Sequence, residues 1–489
     1  MNFPILSVMV FIPLAAGIAI LLLPVGRTAW PRRVAAVAAG LVLALSLVVY
    51  FGYSNEAGGY QFIERMNWIP QLGISYFLGV NGVSAPLVLM TGVVVLSGVL
   101  VSWRVEDRPK EFFSFYMFLA ASVLGVFVSL DLFLLFFFFE IAVFPKYLMI
   151  ILWGYPQTRE YGGMKLTLYL FAGSVVALVG ALALYFGSGL HTFDMLALEG
   201  AGFPADFQRL WFPVVFIGFG VLSGIFPFHS WAPDGHVAAP TAVSMLLAGV
   251  EMKVGAFAAL RVAITLLPEG ARFWALGILI LATINVVYGA FIALIQTDFK
   301  YVIGFSSVSH MGLVLIGFAT LNEKGLLGAG MQMFSHGIMT ALFFAIVGMV
   351  YDRTHIRDIA RLGGLVKKLP WAAVGFIIGG LVSMGMPGFS GFIAEFPIFM
   401  GAWSAAPWVA ITAVIAILVT AAYILIVVRR VFFGELPAEY ENVAPLEKKD
   451  KFVIGMLSFI VIALGWFPAL MTPWVQSGMS QVLALLGGR

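Results

Sequence analysis

Glu140, Lys146, Glu251, Lys253 and Glu395 each stand inside an apolar run, where an ionised group has no ordinary place. A charge at mid-bilayer costs about 3 kcal/mol even on lenient insertion scales, so such residues need a task, and the usual one is an ion or proton path. Phe136 to Phe139 precede Glu140 and keep its surroundings dry. A carboxyl held between the cost of burying its charge and the pull of a nearby cation can load and release a proton. Lys253 falls at the centre of its run, too far from either end to snorkel, which suits a central relay. Glu251 is two residues away, about 200° around a helix, so its partner is expected on another helix.

Two histidines, His310 and His336, sit mid-run with Ser306, Ser307, Ser309, Ser335 and Thr340 close by. Imidazole trades protons near neutral pH and hydroxyls hold bridging water, although the same histidines would serve equally as hydrogen-bonded packing groups. Glu395 lies beyond a break in its run and suits an exit gate. Asp131 opens a run and reads as a helix N-cap. His229, Asp234 and His236 lack metal-ligand spacing and read as the polar lining of an unwound segment. Arg353, Arg357 and Arg361 recur every four residues, as a basic face toward lipid headgroups or a partner subunit would.

These groups must be positioned by membrane helices. Of the 489 residues 62% are hydrophobic and 10% charged, against about 25% charged in soluble domains. Six histidines and no cysteine exclude a disulfide framework, thiolate metal sites and protein-ligated iron–sulfur clusters. No Gly-rich phosphate loop follows a strand pattern, and nothing points to nucleic acid. Runs of about 20 apolar residues predict an all-α polytopic protein with fourteen spans, near 4–24, 34–53, 78–103, 112–130, 132–154, 165–188, 209–226, 240–266, 273–296, 300–321, 326–351, 369–402, 407–430 and 453–475. The first lacks a basic start and a cleavage site, so it reads as a retained helix. Odd-numbered connections hold 19 Lys and Arg against 6 in the even ones and the C-terminus. That bias puts odd connections in the cytoplasm and both termini on the outer, periplasmic side of a bacterial inner membrane.

Two spans are interrupted. Ile225-Phe226-Pro227-Phe228-His229 closes span 7, and Gly385-Met386-Pro387-Gly388 lies within span 12. The breaks stand five spans apart, so spans 4–8 and 9–13 read as an inverted five-helix repeat with a broken helix at matching places, the usual pointer to an ion pathway. The predicted units are 1–111 (spans 1–3), 112–266 and 273–430 (the repeats), and 431–489 (a cytoplasmic loop and the last span).

Several strings carry a resemblance: Asp131-Leu132 leading to Phe139-Glu140 with Pro145, Phe226-Pro227-Phe228-His229-Ser230-Trp231-Ala232-Pro233-Asp234, Ala239-Pro240-Thr241-Ala242 with Lys253, Ser306-Ser307-Val308-Ser309-His310, and Gly388-Phe389-Ser390-Gly391 through Glu395. Together they resemble the proton-pumping, antiporter-like subunits of complex I. Gln332-Met333-Phe334-Ser335-His336 and Arg357-Asp358-Ile359 narrow this to the NADH-quinone oxidoreductase subunit M type, the mitochondrial subunit 4 type. The resemblance implies a horizontal line of protonatable groups through Glu140, Lys253, His336 and Glu395. It also implies an enzyme only through the complex, a translocase with no redox catalysis and no cofactor in this chain, and with FMN, iron–sulfur clusters and quinone held elsewhere. Implied partners are other membrane-arm subunits, further antiporter-like ones included, and lipids. One position departs. The family's span 7 lysine, paired with the span 5 glutamate, falls at Leu222, while Lys146 and Glu251 are additions. Lys146 and Leu222 lie at similar depths, so Lys146 is expected to supply the missing ammonium, with an extra lysine in a lateral subunit contact as the alternative. The same module also fits a multisubunit cation/proton antiporter or a membrane-bound hydrogenase, or a scaffold whose pump is disabled.

Overall fold

The computed structural model describes residues 3–24 and 29–487. Its first two helices, α1 (Ile5–Leu22) and α2 (Ala29–Gly52), lead into a two-stranded antiparallel hairpin, β1 (Gln61–Ile69) and β2 (Ile74–Val80), paired Met66 to Tyr76 and Ile69 to Ile74. The hairpin was not expected. Residues 78–80 were read as the start of span 3, but Ile74-Ser-Tyr-Phe-Leu-Gly-Val80 is β-branched and aromatic, and the helix begins only at Ser84, where the Asn81 side chain accepts from the Val83 and Ser84 amides. The hairpin supplies caps that the helices lack. Glu64 accepts from the first free amides of α1, those of Leu6 (2.8 Å) and Ser7 (3.0 Å).

The chain continues through α3 (Ser84–Val101), α4 (Pro109–Val128) and a kinked pair, α5 (Leu132–Ile141) and α6 (Val143–Trp153), which together form span 5. Pro145 has no amide to offer the carbonyl of Ile141, which accounts for the kink. Asp131 is the expected N-cap: it accepts from Leu134 at 3.0 Å and, from the hairpin, the Ser75 amide at 2.9 Å. We expect Asp131→Ala to leave two buried amides unpaired and to destabilise the chain by about 2 kcal/mol or more, whereas Asp131→Asn keeps an acceptor. Thermal unfolding in detergent should fall in the order native, Asn, Ala; equal stability of all three would refute the cap.

After α7 (Arg159–Gly187) and the short α8 (Met195–Glu199), α9 (Ala205–Ser223) ends at Gly224, whose φ of +79° suits the left-handed C-cap. An unwound stretch then leads to α10 (Trp231–Ala238). The backbone of this break is satisfied from inside the protein: the Asn285 amide donates to the Gly224 carbonyl at 2.7 Å and the Trp231 indole to Val221 at 2.8 Å. Span 8 runs from α11 (Thr241–Leu246) through a π turn at Leu247–Glu251 to α12 (Met252–Ala258) and a second π turn at Ala259–Ile264.

Next come α13 (Pro268–Ile295), α14 (Phe299–Ala319) and α15 (Glu323–Thr354). Span 12 is broken as expected, into α16 (Pro370–Ser383) and α17 (Ser390–Ala405), with Gly388 at φ +92° between them. The remainder is α18 (Pro407–Val427), α19 (Lys448–Trp466) and α20 (Thr472–Gly487). The last expected span, 453–475, is displaced. A capping box of Glu447 and Asp450 starts α19 early, and Phe467-Pro468 ends it, so 472–487 forms a helix of its own whose Trp474 stacks on Tyr50 at 4.8 Å. Eleven of the described helices are long and apolar enough to cross a membrane; Ile5–Leu21 and Pro370–Ser383 are apolar but shorter.

The arginine stripe is a correction. Arg353 is buried against Asp450 at 2.6 Å and also donates to the Ala444 carbonyl, and Arg357 pairs with Asp298 at 3.1 Å and lies 3.8 Å over the Tyr155 ring. Both staple connections on the basic side of the protein rather than facing lipid or a partner. Only Arg361 is exposed. The span was expected to end at 351, before the stripe; the regular spacing suggested a basic face, whereas the arginines' partners, Asp450 and Asp298, arrive from distant segments.

Candidate proton pathway

Close helix crossings set the central groups. A Cβ on Gly337 would lie 2.6 Å from the Gly249 carbonyl oxygen, and one on Gly255 would lie 2.6 Å from the Ser223 amide nitrogen. Only hydrogen at these positions lets span 8 press against both α15 and α9. Lys253 is therefore fully enclosed, and its amine folds back onto the carbonyl of Ala248 in the π turn.

On α15, His336 is fully buried with neither ring nitrogen bonded, and Lys253, His310 and His236 are its titratable neighbours. The two imidazoles of His310 and His336 lie 5.3 Å apart. From α14, His310 reaches Ser383 through Nε2 (2.9 Å) and Glu395 through Nδ1 (3.1 Å). Gln332 of α15 donates to the same Glu395 oxygen at 3.1 Å, and Ser335 and Ser390 bond across the second break at 2.7 Å. Thus His310, expected only from its neighbours in sequence, is tied directly to Glu395. Glu395 lies beyond the second break as expected, 1% exposed on the second turn of α17.

The first half is arranged differently. Lys146 of α6 and Glu251 of the π turn are each 1% exposed and form an ion pair with one another. The expectation that Glu251 answers a charge on another helix thereby finds its partner. Glu140 is half-buried, with one carboxylate oxygen buried and unbonded; Lys146 is the cation near enough to act on it, and the unpaired hydroxyl of Ser174 is close. Leu222 is buried among apolar residues of α9.

Sequence reasoning missed Gln332, Ser383 and Ser390 as parts of the second cluster, since a lone amide or hydroxyl on an apolar run carries no distinctive spacing. It also missed Lys300, whose amine donates to the carbonyls of Ala239 and Val237 after the first break. Lys300 lines a cavity of about 500 Å³ on the basic side, with Thr241, Tyr351, Asp352 and Arg357. His236 is fully buried, with Lys300 and Lys253 as its basic neighbours and its ring against Trp231 and Phe344. Asp234 bonds Lys165 at 2.7 Å and Tyr301 at 2.8 Å, and no cluster of three metal-ligating side chains occurs among the described residues.

A family model described as NADH:quinone oxidoreductase/Mrp antiporter, TM, matches residues 129–420, the stretch that holds all of these groups. The chain belongs to that family. It is 36% identical over 498 residues to NADH-quinone oxidoreductase subunit M of Rhodobacter capsulatus, covering 98% of this chain and 96% of the relative. It is also 36% identical over 484 residues to NAD(P)H-quinone oxidoreductase chain 4 1 of Synechococcus sp. (strain JA-3-3Ab), covering 96% and 91%. Among solved structures, a chain of respiratory complex I from Thermus thermophilus with bound NADH superposes with a TM-score of 0.91 at 29% identity, covering 99% of this chain and all of that one. A chain of the Mrp complex from Dietzia sp. DQ12-45-1b shares the fold at 19% identity and a TM-score of 0.87, covering the whole of both. The chain is an antiporter-like, multi-pass membrane subunit of the complex I type, and its relatives are subunits of an oxidoreductase complex.

Proposed function

We propose that this chain moves protons along the middle of the membrane, through Glu140, Lys146, Lys253, His336, His310 and Glu395, driven by redox chemistry in other subunits. The observation that carries the reading is the run of buried titratable groups from Lys253 through the paired imidazoles to Glu395, each on a different helix, with polar atoms of His336 and Glu395 that no protein group satisfies. Buried polar atoms of this kind call for water, and water between titratable groups conducts protons. Lys146 supplies the ammonium beside Glu140 that the family pattern expects at position 222. Uptake runs from the basic-side cavity by Lys300 and His236 to Lys253.

In this reading spans 4–8 and 9–13 form the inverted repeat, the odd connections face the cytoplasm of a bacterium and the termini face the periplasm. Electron carriers and quinone sit in partner chains, and the flanks contact further antiporter-like subunits and lipid. Gentle detergent extraction of the native complex tests it. We expect co-purification with iron–sulfur and quinone-site subunits, and NADH–quinone activity coupled to proton movement. Purification without redox partners, together with sodium-dependent proton exchange, would overturn it in favour of an antiporter.

A further inference from the structure

Lys146 and Glu251 are each only 1% exposed. Taking two charges out of water costs several kcal/mol per ion, and well-packed apolar residues of the same size would be as stable or more so. Stability alone does not account for the pair.

Three observations show what the pair is equipped to do. Lys146 acts on two carboxyls, since it bonds Glu251 and is the cation beside Glu140. Each of those carboxyls keeps one buried oxygen without a partner, Glu140 Oε1 and Glu251 Oε1. One ammonium cannot balance two carboxylates in a dry interior, so the arrangement of lowest charge carries one proton on one of the two acids. The connections between the three groups are also pliable. Glu140 and Lys146 lie on opposite sides of the Ala142 turn, where Pro145 leaves a helix bond unmade. Glu251 closes a π turn, a geometry found most often at functional sites, and Lys253 follows two residues on.

We infer that Glu140, Lys146 and Glu251 form a proton-loading site in which two carboxyls share one proton and one ammonium, with Glu251 delivering the proton toward Lys253. In the resting state of this site Glu251 is ionised against Lys146 and the shared proton is on Glu140. In the transfer, the proton leaves the Glu140 carboxyl and arrives on a Glu251 oxygen. The ammonium of Lys146 keeps all its protons and turns from Glu251 to the newly ionised Glu140. No other reactant is needed. Glu251 is then a neutral acid on the opposite side of span 8 from Lys253, and it returns to its starting charge when the proton moves on toward Lys253 through water. This inference rests on the proton-relay reading above and adds a residue to it.

The test compares variants of the intact complex by protons moved per electron in membrane vesicles. Lys146→Met with Glu251→Leu removes the charges but keeps the volume. A purely structural pair would tolerate this exchange, whereas a loading site would not, so the double variant is expected to assemble and to pump at least about five-fold less. Native pumping by the double variant overturns the proposal. Should the double variant fail to assemble, Lys146→Glu with Glu251→Lys keeps a buried pair but takes the carboxyl off span 8. It is expected to pump poorly as well, and native pumping by it overturns the proposal equally. Lys253→Met run alongside separates the two layers of the reading. Loss of pumping in Lys253→Met but not in the double variant removes only the shared site, whereas native pumping in Lys253→Met removes the relay and this inference together.

Discussion

Lys253→Met is expected to stop proton translocation by the complex that contains this chain while leaving the complex assembled. Methionine matches the length of the lysine stem and is content in an apolar surround, so the packing held by Gly249 and Gly255 survives. What disappears is a fully buried amine with one bond, to the Ala248 carbonyl, and no carboxylate within salt-bridge distance among the described residues. Such an amine is costly to bury and contributes little to stability, so the variant should unfold no more easily than the native chain. In the proposed relay, its one unique property is to take and give a proton between the Glu251 side and His336. Redox-driven acidification of inverted vesicles should fall about ten-fold or more, with electron transfer slowed to the extent that the two are coupled. Lys253→Arg keeps the charge but cannot surrender it, because guanidinium stays protonated at any working pH. It should fail as Met does, and a pumping Arg variant would show that only a fixed charge is needed.

Much of this pathway was legible in the sequence because a charge inside an apolar run is rare and has to be explained. Glu140, Lys146, Glu251, Lys253 and Glu395 stand out on that ground alone, and the two Pro/Gly interruptions mark where helices unwind. Periodicity could not give partners. The Lys146–Glu251 bond joins residues 105 positions apart, and the His310–Glu395 contact joins residues 85 apart. Those contacts come from the tertiary packing of helices, and the glycines that press span 8 against α15 and α9 look unremarkable in a chain with 53 of them. Regular spacing also misled at Arg353 and Arg357, because their partners, Asp450 and Asp298, arrive from segments far away in sequence. The hairpin was lost because Ile74–Val80 is as apolar as a helix start; only the Asn81 cap separates strand from span. Terminal α20 was lost for a related reason, since Pro468 divides one apolar stretch into two helices.

Glu395→Gln carries the second large effect and probes the far end of the path. Glutamine has the volume of glutamate and still offers a carbonyl oxygen to the Gln332 amide, so the meeting of α14, α15 and α17 should hold. It cannot bind a proton, and it takes from His310 Nδ1 the carboxylate that now contacts it. Loss of both properties at once should lower pumping about ten-fold or more, in the same vesicle assay and with the complex intact. Glu395→Asp separates the two contributions. It keeps an acid but draws it back by one methylene from His310 Nδ1, now 3.1 Å away, so pumping should be intermediate. Glu395→Ala is a different experiment, because it leaves buried groups on His310 and Gln332 without an acceptor. A cost of about 1–3 kcal/mol for each such group would show first as reduced assembly. Position 395 can thus be read as a proton carrier only from the isosteric variant. Should Glu395→Gln pump normally while Lys253→Met does not, protons leave the line before α17, and His310 with Ser383 becomes its last station.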